Sequence, residues 1–519
     1  MYRTIASLCL LASMAAGQQA VSPQAAALPS DAPPELAHID RVGLLGHAEF
    51  LASDALGGRL TGSPGQEAAA QYIAEHFEAL GLEPWGDEQE DGSRSWFQEY
   101  PITVRSLLEP RLQLGEHVVE RGFSLLEAAN SATGSGPFDR GLVFVDLRRD
   151  MPQFDGAVAV TVLKTRAARG VFGGFAAAMR GFAKARGFSK RAARAGASAT
   201  VFCLLEDAGM ADGMSYFAIS PERAQLQHGQ EGGMAEMATA WRAAVPQVFV
   251  TAAASHEVLA AFGVDDPAEA ASMHGRRLEG RLDMRVRAAQ SHARNVVALR
   301  RGGDPVAAAE AVIYSAHMDH VGTRPDGEVF NGADDNASGT SGLLEIAEAY
   351  ARAEQAPRRS VLFLAVSGEE LGLWGSRWYS DHPTWDINDI VANVNTDMIG
   401  RSGPESEATE ITVTPSYRHK KFSTIVRDAA HLGQSLGVTF TNGDKYYTRS
   451  DHYNFARLGI PVVFFCNGEH EDYHQVTDEA DRLDPVKMEA IARLAYWVGH
   501  NVANAEERPR TLGRAKSWF

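Results

Sequence analysis

Residues 311–320 read Ala311-Val312-Ile313-Tyr314-Ser315-Ala316-His317-Met318-Asp319-His320. An apolar run of strand length, rich in β-branched residues, ends abruptly in a histidine and an acid. Apolar residues at both parities mark a strand buried on both faces, as in a parallel sheet covered by helices. Outward from this stretch the same figure recurs. Val361–Ser367 runs into Gly368-Glu369-Glu370, and Ile390–Asn395 into Thr396-Asp397. Ile460–Phe465 leads to Glu469-His470-Glu471-Asp472-Tyr473-His474. Helical segments fall between the strands (Ser341–Ala353) and after them (Val486–Asn504). The alternation predicts an α/β fold with a mostly parallel central sheet flanked by helices.

In open α/β sheets, ligands bind just beyond the carboxyl ends of the strands. Each strand named above ends in groups able to hold a metal. Between the first two lies Asn331-Gly332-Ala333-Asp334-Asp335-Asn336-Ala337-Ser338-Gly339, a turn that opens a helix. A lone histidine is usually structural, and surface acids are common. Several such clusters at one edge of one sheet are hard to reconcile with chance. Histidines and carboxylates without a thiolate suit zinc or a similar divalent ion. The set is large enough for two metals about 3.5–4 Å apart with a bridging carboxylate.

The remaining residues bound the possibilities. A chain of 519 residues predicts two to four domains at about 150 residues each. Its composition, 45% hydrophobic and 22% charged, excludes a collagen-like, coiled-coil or largely disordered chain. A formal charge of −17 argues against nucleic-acid binding, which needs a basic surface. Residues 1–17 read as a secretory signal: Arg3, an apolar Ile5–Ala12 and small residues at Ala15-Ala16-Gly17. The expectation is a secreted or periplasmic protein without stable membrane insertion. Cys203 and Cys466, the cysteines outside this leader, read as buried free thiols. Residues 18–40 are a flexible lead-in. Ser63-Pro64-Gly65-Gln66 starts a helix that Gly81 ends. From about 105 to 285 the texture changes to short β-like runs: Gly141–Val145, Ala157–Leu163, Ala199–Leu204 and Pro246–Thr251. The stretch between Asp155 and Glu206 holds nine basic residues and no acid, which reads as a solvated face.

At these residues the sequence resembles the M28 zinc peptidases, di-zinc aminopeptidases and their relatives. The shared elements are Ala316-His317-Met318-Asp319-His320, the Gly332–Gly339 turn, Gly368-Glu369-Glu370, Asn395-Thr396-Asp397-Met398, Arg449-Ser450-Asp451-His452 and Asp472-Tyr473-His474. The leader helix region, Leu51–Asp54 through Thr61–Gly65, belongs to the likeness too. The resemblance implies a peptidase domain over 41–108 and 286–507 and an inserted protease-associated (PA) domain over 109–285; the segment 508–519 reads by its composition as a loose polar tail. It implies two zinc ions. His317 and Asp397 would bind one, Glu370 and His474 the other, and Asp335 both. It implies a cis peptide at Asp335-Asn336, Asp319 holding the His317 ring, Glu369 as general base and Tyr447 as oxyanion donor. Tyr446 is the fallback for Tyr447, and His470 the rival of His474.

The activity implied is hydrolysis of the N-terminal peptide bond of peptides by a zinc-activated bridging hydroxide. Peptides with a free N-terminus would be the substrates. Other members of the same fold remain open: a carboxypeptidase or dipeptidase, for which Arg449 and Lys445 could clamp a carboxylate, a glutaminyl cyclase, or an inactive receptor-like relative.

Overall fold

The computed structural model describes residues 28–126, 136–164, 171–205, 225–227, 245–324, 326–403, 407 and 409–519. The leader expected over residues 1–17 lies outside them. The large sheet is built from β1 (Phe97–Leu114), β2 (Gly280–Arg300), β3 (Ala311–His317), β4 (Ser360–Val366), β5 (Ile390–Thr396), β6 (Glu410–Thr414), β7 (Thr439–Asn442) and β8 (Val462–Cys466). Across the sheet they run β7-β6-β8-β5-β3-β4-β2-β1, with His117–Val119 at the far edge. Strands β4, β3, β5 and β8 are parallel neighbours. They form the centre, and antiparallel pairs (β8 with β6, β4 with β2) extend it on both sides.

Side-chain parity explains why these apolar runs form this centre. Val312, Tyr314 and Ala316 of β3, with Val361, Phe363 and Ala365 of β4, enter one hydrophobic cluster. Ala311, Ile313, Leu362, Leu364 and Val366 point the other way into a second. Successive side chains of a strand alternate between faces, so both faces must be apolar when both are covered. The first cluster is covered by α1 (Arg41–Leu51), α2 (Pro64–Ala79), α3 (Gly339–Arg352) and α4 (Pro485–Asn504). Side chains cap the N-termini: Asp40 accepts from the amides of Val42 and Gly43, Ser63 from Gln66, and Asp484 from Val486 and Lys487. Each such cap stabilises its helix by about 1 kcal/mol.

A second, six-stranded sheet lies in sequence between β1 and β2. Its order is Arg277–Leu278, Leu142–Phe144, Val158–Leu163, Ala199–Leu204, Gln247–Val250, Phe123–Leu126. The helix Val171–Arg194 carries Arg180, Lys184, Arg186, Lys190, Arg191 and Arg194 of the basic stretch, all exposed. Cys203 and Cys466 are free and buried.

Three expectations need correction. The end of the lead-in expected to be flexible is docked: Leu36 and Ile39 are buried in the main core, and Arg493 donates to both of their carbonyls. The boundaries at 108/109 and 285/286 fall inside β1 and β2, not in linkers. These strands pair antiparallel from Phe97↔Val296 out to Leu114↔Gly280, so one ribbon serves both sheets. The segment 508–519 is docked rather than loose. Leu512 and Ala515 donate backbone hydrogen bonds to the carbonyls of Phe422 and Tyr417, both at 2.7 Å. Trp518 packs on Tyr417 and Phe440 with ring centroids 5.2 and 5.4 Å away. A polar composition concealed one large aromatic anchor. Among the described residues, no helix is long and apolar enough to cross a membrane.

Candidate active site

Strand register sets the ligand-bearing ends level. His317, the last residue of β3, pairs with Val366, the last of β4. Ser315, Asn395 and Phe464 form one row across β3, β5 and β8. The loops leaving these four strands therefore converge on one place.

The histidines and carboxylates meet there in two groups. His320, Asp335, Glu370 and His474 bring ligand atoms within 4.8 Å of one another, and so do His317, Glu369 and Asp397. Asp335 joins the two. Its Oδ1 lies 3.3 Å from His317 Nε2 and its Oδ2 2.8 Å from His474 Nε2. Asp397 Oδ1 is 3.2 Å from His317 Nε2, and Glu370 Oε2 is 3.2 Å from His474 Nε2. The peptide Asp335-Asn336 is cis. His470, the rival, instead bonds Asp334 at 3.0 Å through Nε2.

The donor set fits a divalent metal. Imidazole nitrogens and carboxylate oxygens converge, and the thiol in the cavity wall, Cys466, is held protonated by burial. Four carboxylates facing three imidazoles outnumber the positive charges the rings can offer, an imbalance that a bound cation would correct. Arg59 is the other buried cation nearby. It donates to the carbonyls of Met318, Leu51, Asn331 and Gly332, so it ties the two ligand loops together by their backbones. Burial lowers its pKa to about 10 against the pull of Asp319, Asp335, Asp478 and Glu370.

The outward atoms of the ligand candidates are also held. Asp397 Oδ2 accepts from Ser450 Oγ at 2.7 Å. His317 Nδ1 bonds the backbone carbonyl of Asp319 at 3.1 Å, whereas the Asp319 carboxylate stands 3.7 Å away. The ring is thus held by the main chain of Asp319. Its carboxylate accepts from Thr61 Oγ1 at 2.8 Å and from the Glu369 amide at 3.3 Å, and so locates the Glu369 backbone. Met398 and His474 sit at φ 59° and 55°. Left-handed backbone at residues other than glycine is costly, and it clusters where a site fixes the chain.

Adjacent glutamates have opposite electrostatics. Burial raises Glu369 well above the ordinary carboxylate range, and Asp397, Asp451 and Glu370 push it further. Burial would raise Glu370 too, but the charge of His474 and hydrogen bonds from His320 and His474 bring it to about 2.

The tyrosine expectation is not met. Tyr447 is tilted against His419, with ring centroids 4.1 Å apart, beside His452 and Tyr453. The tyrosines that line the cavity are Tyr446 and Tyr473. The Tyr446 hydroxyl accepts from the Glu469 amide at 3.3 Å. Tyr473 stacks on His474 at 3.8 Å, and its phenol feels Asp335, Glu370 and Glu369. Burial and these charges keep it protonated. Its sequence signal was its place directly before His474. His320 was the other unassigned residue, visible as the last member of His317-Met318-Asp319-His320.

Residues 295–498 match Peptidase family M28. The chain is similar to that family over this segment. Aminopeptidase YwaD of Bacillus subtilis (strain 168) is 26% identical over 211 residues, 39% of this chain and 43% of that protein. Leupeptin-inactivating enzyme 1 of Streptomyces exfoliatus is 31% identical over 214 residues, 41% of this chain and 44% of its own length. The chain spans about half the length of the curated relatives it matches. The solved structure of BSAP, a zinc aminopeptidase from Bacillus subtilis, shares the fold with a TM-score of 0.56 at 18% identity. That likeness covers 90% of this chain and 96% of that one. The matched segment holds both ligand groups, so the match and the site coincide.

Proposed function

We propose that the protein is an exported zinc aminopeptidase holding two zinc ions. The observation that carries this reading is Asp335, whose two oxygens face two separate sets of ligands at 3.3 and 2.8 Å. His317 and Asp397 would hold one ion, Glu370 and His474 the other, with Asp335 shared. A bound zinc supplies Lewis acidity and makes water acidic enough to attack near neutral pH.

The chain's own groups would do the rest. Glu369 takes the proton of the attacking water at a carboxylate oxygen and returns it to the leaving amine. The Tyr473 phenol donates a hydrogen bond to the carbonyl oxygen as charge develops there, in place of the expected Tyr447. The surplus of carboxylates attracts the ammonium group of a free N-terminus. Glu469 lines the same cavity: one oxygen meets Arg449 at 2.7 Å, and the other is buried without a hydrogen-bond partner.

The Arg449–Glu469 pair also weighs against the carboxypeptidase alternative, since Glu469 offsets the charge of the guanidinium suspected of clamping a substrate carboxylate. The six-stranded unit between β1 and β2 is the proposed PA domain. The test is incubation with unblocked and N-acetylated peptides, with and without a chelator, read by mass spectrometry. Chelator-sensitive trimming from free N-termini alone is expected. Trimming from the C-terminus would overturn the reading.

A further inference from the structure

Three of the five ligand candidates show the same construction: an inward atom and an outward atom, the outward one tied to a residue outside the proposed ligand set. His317 is tied to the Asp319 carbonyl and Asp397 to Ser450. Asp335 is the exception among the carboxylates, because both of its oxygens face inward. Glu370 obeys the rule through His320. Its Oε2 faces His474, and its Oε1 lies 2.8 Å from His320 Nδ1.

The position of His320 is well determined. It is fully buried, and its amide donates to the Arg59 carbonyl at 3.3 Å. Gly332, at φ 54°, closes over its ring, and a Cβ at that glycine would collide with it. On the other side the ring meets His474 edge to face, 5.6 Å between centroids. Its Nε2 is buried without a partner. A carboxylate only accepts hydrogen bonds, so the Nδ1 facing Glu370 carries the proton. Nδ1 stands 4.0 Å from Asp335 Oδ2, so its close contact is the one to Glu370.

We propose that His320 is a positioning residue: its Nδ1–H fixes Oε1 of Glu370 and so turns Oε2 toward the ion shared with His474 and Asp335. The proposal rests on the zinc reading above and deepens it. A carboxylate held at one oxygen offers the other as a single, directed ligand. Freed, it could rotate or chelate through both oxygens, which weakens the mixed His, Asp and Glu set.

Asparagine and leucine separate this from the alternatives. The Asn side-chain amide nitrogen falls where Nδ1 stands, so His320→Asn keeps the donor. His320→Leu fills similar space without one. The zinc stoichiometry and dissociation constants of the full chain would be measured by competition with a chromogenic chelator. The wild type should bind two zinc ions. His320→Leu should weaken one site by about ten- to a hundredfold and leave the other unchanged, while His320→Asn stays within about threefold of wild type. Cobalt-loaded protein gives a second readout: the visible spectrum should be altered in His320→Leu and restored in His320→Asn. If both variants lose the site equally, His320 is a ligand or a packing element and the proposal fails. If neither loses it, the contact has no role and the proposal fails. A wild type that binds no zinc would overturn the zinc reading itself. Melting the chelator-treated proteins shows whether His320→Leu is folded. If it is not, the comparison passes to His320→Asn and His320→Gln, whose amide lies one bond farther out; equal affinities would then overturn the proposal.

Discussion

Glu369 and Glu370 are chain neighbours with opposite proton affinities, because one is surrounded by acids and the other meets His474 and His320. The proposed roles divide accordingly, Glu369 as base and Glu370 as ligand. Glu369→Gln should reduce turnover by about a thousandfold or more, with the zinc content unchanged by atomic absorption. Loss of zinc would make Glu369 a ligand. Tyr473→Phe should lower kcat by about a hundredfold with little change in KM, while Tyr447→Phe should alter kcat by less than about twofold, because its ring packs against His419 away from the carboxylates. The reverse ranking in steady-state kinetics would return the role to Tyr447. At this scale the cluster was legible in the sequence, since His317, Glu370 and Asp397 stand at or just beyond strand ends and Asp335 in the turn that opens α3, while the choice of ligands among them came from the family resemblance. The tyrosine was not. Tyr446, Tyr447 and Tyr473 lie in loops, and spacing along a loop does not say which ring turns inward.

Among the elements, β3, β4 and β5 could be read to within a residue or so, because a strand buried on both faces leaves an unbroken apolar run. The contact between α1 and α3 could not, because it is polar. Glu345 on α3 is buried, accepts from the Asp40 amide at 3.1 Å and lies 3.6 Å from His47 Nε2. Burial, with help from the charges of Glu348 and Asp40, raises its pKa from 4.5 to about 7. Burial and His76 lower His47 to about 3, so the ring is neutral and does not offset the carboxylate. The folded protein keeps the Glu345 proton up to about pH 7, whereas the unfolded chain releases it at 4.5. The resulting stability is fully present below the lower value and is lost as pH rises through the higher one, by at most about 3 kcal/mol. Glu345→Gln keeps the acceptor and carries no charge. It should therefore be more stable than wild type in urea at pH 8 and equal to it near pH 4.5. Equal stability at both pH values would show that the carboxylate is solvated at no cost.

Over the whole molecule, the change of texture from about 105 to 285 was legible, but its borders were not, because β1 and β2 run through them without a change of composition. The cores nevertheless stay apart. The two clusters that flank the large sheet contain no residue from 108 to 285. The two that fill the smaller unit are drawn from residues 107 to 286. Leu107 and Val286 are directly paired across the ribbon. Opposite residues of an antiparallel pair stand about 5 Å apart, a span that a two-residue Asn-Gly turn closes. Replacing 108–285 by such a turn should leave a folded domain, because Tyr100 still reaches Ser367 and every ligand candidate lies between 317 and 474. The shortened protein should show a cooperative melt that rises on adding zinc, since a ligand that binds only the folded state stabilises it. A melt that does not respond to zinc would mean that the smaller unit shapes the metal centre across the ribbon. Retained zinc binding with altered peptide trimming would assign that unit to the substrate rather than to the metal.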